Sequence, residues 1–449
     1  FMYCTKKDQV VTSTTTNPSE LDAYKTTTAP TIDGTIDAIW ANATQISFTP
    51  TVPDPGNGLF TGYNGEQYPA KLRAMYDGSN IYFLMEVKDA TQSTNVTPWY
   101  FDPAKNVSGA TGWQKEPSSK SFDVNGVVTR DGWGEDKFAM LWNIDNSCEK
   151  FITQTCYGSC HVFTPYLDYT PNPKTQPMAT SPVMNANSNN GNHYTNGQFE
   201  KIDMWWGRLG YITADKTMQV MDDNYQDYAG GPAVTNLTGG SANGRHQDGV
   251  VIDTAKTYYW PYAPHYTSYS STIGNPAAGQ YSAAGEVSNS QNLKLDGTGA
   301  SVAVPIWVVP AAQVTFILPA DTASGKAKKV TAVSSAGVLT FADGTKLDPT
   351  SGTDYQRTGD AITGPTAKFS VPAYIAVPLT GTRADITCAA TYTGTGWIIE
   401  YKRALKTGDV LKQDIDFSSL QDQPFGVAFF NKSNNQHGIN PNLLLHFLK

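Results

Sequence analysis

Apolar and polar residues alternate in several short runs of this chain. Ala70, Leu72, Ala74 and Tyr76 are interleaved with Lys71, Arg73 and Met75, and after Asp77-Gly78-Ser79-Asn80 the alternation resumes at Ile81, Phe83, Met85 and Val87. Successive side chains of a strand point to opposite faces, so a period of two on either side of a turn predicts a strand–turn–strand unit. Residues 137–144 (KFAMLWNI), 396–403 (GWIIEYKR), 424–430 (PFGVAFF) and 443–447 (LLLHF) read as further strands. Between 305 and 375, strand-like pieces at 314–318, 329–333 and 337–341 and a turn at Asp343-Gly344 predict a small β-rich insertion. Residues 88–131 read as loop-rich, with a short strand at Phe122-Asp123-Val124. Residues 203–209 (DMWWGRL) read as a short helix, and 222–290 as Tyr-rich loop. Residues 146–200 carry few periodic apolar positions, and a structureless stretch of that length is usually functional.

The expected fold is mainly β, an antiparallel β-sandwich with long loops and a β-rich insertion. The expected organisation is a tether over 1–28, a first part of the sandwich over 29–264, the insertion over 265–370, and the last strands over 371–449. The tether is expected because residues 5–28 are rich in Thr and Ser and have little to bury.

Composition narrows the classes. The chain of 449 residues has 32 Lys+Arg against 40 Asp+Glu, a net charge of −8, which argues against a nucleic-acid binder. Aromatics at 12% exclude disorder for most of the chain, and 39 Gly with 27 Pro fit many short strands and turns. No run of about 18 apolar residues occurs, so no membrane-spanning helix is expected. Low charge with abundant Thr, Asn, Gly and Tyr resembles an exported bacterial surface protein. Cys4, followed by Thr5-Lys6-Lys7-Asp8 and a Thr/Ser run, is similar to a lipoprotein junction. That similarity implies a lipid anchor at Cys4 in the periplasm or on the outer cell surface. Phe1 to Tyr3 depart from it, since they precede the Cys; the other reading is an ordinary exposed Cys on a frayed end.

The order of motifs is more specific than any one of them. Asp33-Gly34 with Trp40 is followed by the Asp77-Gly78 hairpin, Glu135-Asp136-Lys137 leading to Trp142, Cys156-x₃-Cys160-His161, Asp203-x-Trp205 and Asp222-Asp223-x-Tyr225. Gly396-Trp397, Lys402-Arg403-x-Leu405 and Gly426-Val427-Ala428-Phe429 come near the end. This series resembles the haem-binding subunit of ethylbenzene dehydrogenase and its relatives, the small subunits of dimethylsulfide, chlorate, selenate and nitrite oxidoreductases. The resemblance covers roughly 30–260 and 370–449. It implies a β-sandwich that holds one haem and passes single electrons to redox partners, a molybdenum oxidoreductase or other cytochromes, without substrate chemistry of its own. It also implies one axial ligand in the long loop after the Glu-Asp-Lys strand and another just before the last strand. Carried over, these fall near His161 and near His437, with Lys432 close by. The Met/Lys pair of the best-known member is not reproduced.

The residues themselves allow this chemistry. Cys-x-x-Cys-His is the usual covalent haem attachment, and Cys156-x₃-Cys160-His161 is one residue longer. Either the two thiols form thioethers with His161 as ligand, or a Cys156–Cys160 disulfide braces the loop and His161 ligates a non-covalent haem, or the segment makes no haem contact. Met178 and Met184 lie in polar surroundings and are alternative ligands. Trp205 reads either as an aromatic wall beside the ring or as core. Lys402 and Arg403 read either as partners of haem propionates or as a solvated face. Asp222, Asp223 and Asp227 offer oxygens suited to calcium but match no full loop pattern, so they read as a turn. No Gly-x-Ser-x-Gly, P-loop or His-Glu-x-x-His motif occurs. Two other functions compete. The opening Ile-Asp-Gly and the aromatics also resemble family-nine carbohydrate modules, and the insertion suits a structural surface subunit.

Overall fold

The computed structural model describes residues 20–52, 65–117, 121–122, 128–130, 134–148, 151, 201–226, 245–248, 252–253, 265–266, 286–312, 314–350, 370–410, 412–433 and 436–449. The fold is mainly β. Its centre is a twelve-stranded sheet made of β1 (Glu20–Lys25), β2 (Ile46–Phe48), β3 (Ala70–Tyr76), β4 (Asn80–Lys88), β5 (Lys137–Asn143), β6 (Ile202–Arg208), β7 (Met221–Gln226), β8 (Arg245–Gln247), β9 (Thr387–Tyr392), β10 (Gly396–Ala404), β11 (Gln423–Phe430) and β12 (Gly438–Phe447). Their order is β8-β7-β6-β5-β11-β12-β1-β3-β4-β10-β9, with β2 alongside β3.

The sheet curls until it nearly closes. The connection between β6 and β7 meets the edge of β9, where Met218 N–H donates to Cys388 O at 3.0 Å and Ala390 N–H to Lys216 O at 3.0 Å. Aromatic rings fill the interior, both between neighbouring strands and across it, where Phe83 meets Trp142 and Trp205, each at 5.8 Å. Trp142 stacks on Phe425 at 4.8 Å, Trp205 lies 5.2 Å from Trp142, and Phe83 stacks on Tyr401 at 5.2 Å. Burying such large rings is the main source of stability in a core of this kind.

The predicted hairpin is β3–β4, with Tyr76 opposite Ile81. Its turn is set by Asp77, whose Oδ1 accepts the amides of Ser79 and Asn80, both at 2.7 Å, as an Asx turn does. Residues 203–208 lie in a strand, not a helix, and Leu209 begins the turn after it. β6 is hydrogen-bonded on both sides, to β5 and β7, and buries both faces, with Trp205 inward and Trp206 outward. Two buried faces erase the period of two that would have marked it. The segment read as Tyr-rich loop likewise contains β7 and β8. Within the stretch read as tether, β1 lies in the middle of the sheet, parallel to both β12 and β3, with Leu21 and Ala23 fully buried. Residues 314–318 form only a bridge, Ile317 to Ile375, ahead of a short helix over Pro319–Ala323.

A second apolar core gathers Val304, Val330, Val333, Leu339 and Phe341 of the insertion around Trp99, Phe101 and Trp113. The indoles of Trp99 and Trp113 donate to Asn289 O and Gly337 O. The β-rich module therefore includes part of the 88–131 segment as well as the insertion. Among the described residues no helix is long and apolar enough to cross a membrane.

Candidate functional site

The loop between β11 and β12 carries two of the proposed ligands, Lys432 and His437. His437 is 7% exposed, so it is not a solvated loop histidine. Its ring stacks on Phe430, with centroids 4.3 Å apart and planes at 25°, and Phe430 in turn meets Trp206 edge-on at 5.2 Å. This row lies on the outer face of the sheet, where Met204, Leu141, Ala428 and Ile439 form a further apolar cluster with Trp206.

The start of β5 holds this loop. Asp136, fully buried, accepts the Lys432 amide on Oδ1 at 3.1 Å, and its Oδ2 accepts Ser93 N–H at 2.9 Å and the Trp397 indole at 3.1 Å. Lys137 donates its ammonium to Ser433 O at 2.5 Å and lies 5.1 Å over the Phe430 ring. Gly134 lets the loop come this close, because a Cβ there would meet the Ser433 backbone at 2.8 Å. Burial pushes the Lys137 ammonium down to about 8, against the pull of Glu135. Glu135 itself binds Arg208 at 2.6 Å, and Arg208 reaches Glu286 at 2.5 Å. The Glu-Asp-Lys motif is thus a clamp on the loop that bears His437.

Trp205, Arg403 and Lys402 lie elsewhere. Trp205 is fully buried among Trp142, Phe83, Tyr401 and Phe417 on the inner face. Arg403, 1% exposed, donates to Asp203 Oδ2 at 2.5 Å and to Ile415 O at 2.5 Å, and stands 5.1 Å over the Trp205 ring. Its guanidinium faces protein carboxylates, not a solvated surface. Lys402 points to the opposite face and is half-buried. Asp203 is opposite Trp142 and Phe430 is opposite Lys137, so the Arg403 and His437 groups are separated along β5 by five residues, about 17 Å at roughly 3.4 Å each. Trp205 and Arg403 face the interior, whereas the row of Trp206, Phe430 and His437 lies on the outer face. Cys156, Cys160, His161, Met178 and Met184 lie outside the described residues, as does Cys4.

What the sequence reading missed is a buried acidic group around Arg403. Asp203, Asp223, Asp248 and Asp414 come from β6, β7, the end of β8 and the connection before β11. Two sequence signals bear on it: Asp223, which reads with Asp222 as part of a turn but lies in strand β7, and the charge on the apolar phase of β10, where Arg403 follows Trp397, Ile399 and Tyr401. Nearby, burial and then the Asp414 charge push Asp385 up to about 6. An unfolded aspartate titrates near 3.9. The folded state therefore holds this proton more tightly. The stability it contributes is complete below about pH 4 and is lost as pH rises through about 6. Asp385→Asn is expected to flatten the melting temperature between pH 4 and 7 relative to the parent, and parallel curves would refute the assignment.

The family described as ethylbenzene dehydrogenase matches residues 37–440. Among curated proteins none matches the chain. Among solved structures the chain is similar to a family-nine carbohydrate-binding module from Caldicellulosiruptor kristjanssonii in complex with glucose. The identity is 8% and the TM-score 0.25, over 96% of this chain and 95% of that one, a similarity too low to bear on fold or function. The family match runs from the approach to β2 into β12 and takes in the clamp, the acidic group and the β-rich module between them, so this chain belongs to the ethylbenzene dehydrogenase family.

Proposed function

We propose that the chain is a haem-binding electron-transfer protein, with one haem ligated by His161 and His437. The observation that carries this reading is Cys156-x₃-Cys160-His161 within a member of this family. Bound there, haem supplies a one-electron iron couple. The described residues fit a ligand at His437, since its imidazole is buried and stacked and its loop is tied down at Lys432 and Ser433. Phe430 fixes the plane of the ring, and Asp136 and Lys137 hold the loop against the sheet. Lys432 shares that loop and is the alternative donor, while Cys156 and Cys160 either attach the haem or brace the segment that carries His161. With His161 and His437 as its donors, the haem would serve electron transfer and not substrate chemistry. The partners are redox proteins, a molybdenum oxidoreductase or other cytochromes. Export with lipid on Cys4 belongs to the same proposal and rests on composition and the polar run after that Cys.

Purified, haem-loaded protein is expected to show a Soret band that shifts with dithionite. Retention of the colour after acid–acetone extraction marks covalent attachment. His437→Ala should turn the iron high-spin, and an unchanged low-spin spectrum eliminates His437. A spectrum unchanged in His161→Ala, or a featureless one from protein expressed with abundant haem, overturns the proposal.

A further inference from the structure

Four carboxylates surround one guanidinium inside the barrel-like sheet. Asp203, Asp223 and Asp248 are fully buried and Asp414 is 7% exposed. Arg403 faces the Oδ2 atoms of three of them, at 2.5 Å from Asp203, 3.8 Å from Asp223 and 3.9 Å from Asp414. Among the described residues, the Oδ1 atoms of the same three residues have no hydrogen-bond partner, nor has either oxygen of Asp248. The fully buried Asp248 carboxyl is close enough to the charges of Asp414, Asp203 and Arg403 to interact with all three.

A balanced cluster would need no second ion. Here, among the described residues, four carboxylates oppose one cation, and each buried carboxylate without a counter-charge costs several kcal/mol even after relaxation. Arg403 compensates the Oδ2 side, while the Oδ1 side is left with acceptors alone. One ligand atom each from Asp203, Asp223 and Asp414 lies within 4.8 Å of the others. Two oxygens bound to one calcium at about 2.3–2.6 Å are at most about 4.6–5.2 Å apart. Magnesium binds at about 2.0–2.1 Å and keeps most of its water, so a dry cage of protein oxygens suits calcium better. An all-carboxylate donor set disfavours soft transition metals.

We propose that Asp203, Asp223 and Asp414 bind one calcium ion beside Arg403, with the buried, unpartnered Asp248 adding its charge next to them, so that β6 and β7 are tied to the connection before β11. The ion lies at the end of the sheet away from His437, so the proposal stands independently of the haem reading. The three ligands come from separate parts of the chain, so the ion's role is to lock the curled sheet.

The test uses the full chain, stripped with chelator and shown by circular dichroism to remain folded. Calorimetry with calcium chloride is expected to give one site per chain. Terbium should bind the same site and luminesce on indole excitation, because Trp205 is next to Arg403, and calcium should quench that signal by competition. Asp223→Asn and Asp248→Asn should each weaken calcium binding by about tenfold or more, since the negative charge around the ion sets affinity in such sites. Calcium should also raise the melting temperature of the stripped parent protein, a readout that does not depend on the variants folding. Absence of calcium and terbium binding by the folded, stripped parent overturns the proposal and leaves protons as the compensating charge. Binding unchanged in both variants overturns it as well.

Discussion

Arg403→Met is expected to lower stability by about 3–5 kcal/mol, because it strands buried carboxylates without their cation. The side chain does three things at once. It donates to Asp203, it donates to the carbonyl of Ile415, and it covers the rings of Trp205 and Phe417 at 5.1 and 5.8 Å. Methionine restores much of the packing volume and none of the charge, so the loss reports the electrostatic part. Arg403→Lys keeps a charge but loses the planar fork, and its loss should be smaller. Adding Asp203→Asn to Arg403→Met should recover part of the stability, because one of the stranded charges is gone. Urea unfolding in chelator gives all three numbers from midpoints at a common slope. A loss below about 1 kcal/mol for Arg403→Met would mean that the carboxylates are already neutral and that Arg403 is not their counter-ion.

Arg403 also shows where a sequence stops being readable. In GWIIEYKRA, Trp397, Ile399, Tyr401 and Arg403 share one phase of the strand, and all four are buried. The phase puts Arg403 on the apolar side, yet the residue reads from sequence as a propionate partner or part of a solvated face, because charge there is rarely buried. What it faces was not visible in the sequence, because Asp203, Asp223, Asp248 and Asp414 lie on four separate segments that only the curled sheet brings together. The hairpin β3–β4 was legible because one residue type, Asp77, both ends the first strand and caps the turn. β6 was misread because tryptophans at 205 and 206 fill opposite faces and mimic no period. β1 was hidden for another reason. Only Leu21 and Ala23 are buried there, and the strand is held by parallel pairing on both sides, through backbone groups that any residues carry. At the candidate ligand loop the reading found His437 and Lys432 by resemblance, but the residues that fix the loop are 296 positions away in sequence.

That long-range clamp makes Asp136 the most consequential single position at the His437 end. Asp136→Ala is expected to cost about 3–6 kcal/mol, since it orphans three donors, two buried and one part-buried, at roughly 1–3 kcal/mol each, reduced where water enters. The three donors belong to different parts of the fold. Ser93 N–H comes from the segment after β4, the Trp397 indole from β10, and the Lys432 amide from the ligand loop. Burial and the neighbouring Asp89 carboxylate push the Asp136 pKa up, while these donors pull it down. A carboxamide keeps one acceptor and the shape, so Asp136→Asn should lose less than half as much. Stability alone would not separate a general core defect from a released loop, but hydrogen exchange does. In Asp136→Ala the Lys432 amide should lose protection disproportionately, while amides of β3 and β4 follow only the global change. In haem-loaded protein the same variant should give a mixture of spin states if His437 is a ligand, because the imidazole would no longer be held. If Lys432 stays protected and the midpoint stays within about 1 kcal/mol of the parent, Lys137 and the close approach at Gly134 suffice to hold the loop, and Asp136 is not its anchor.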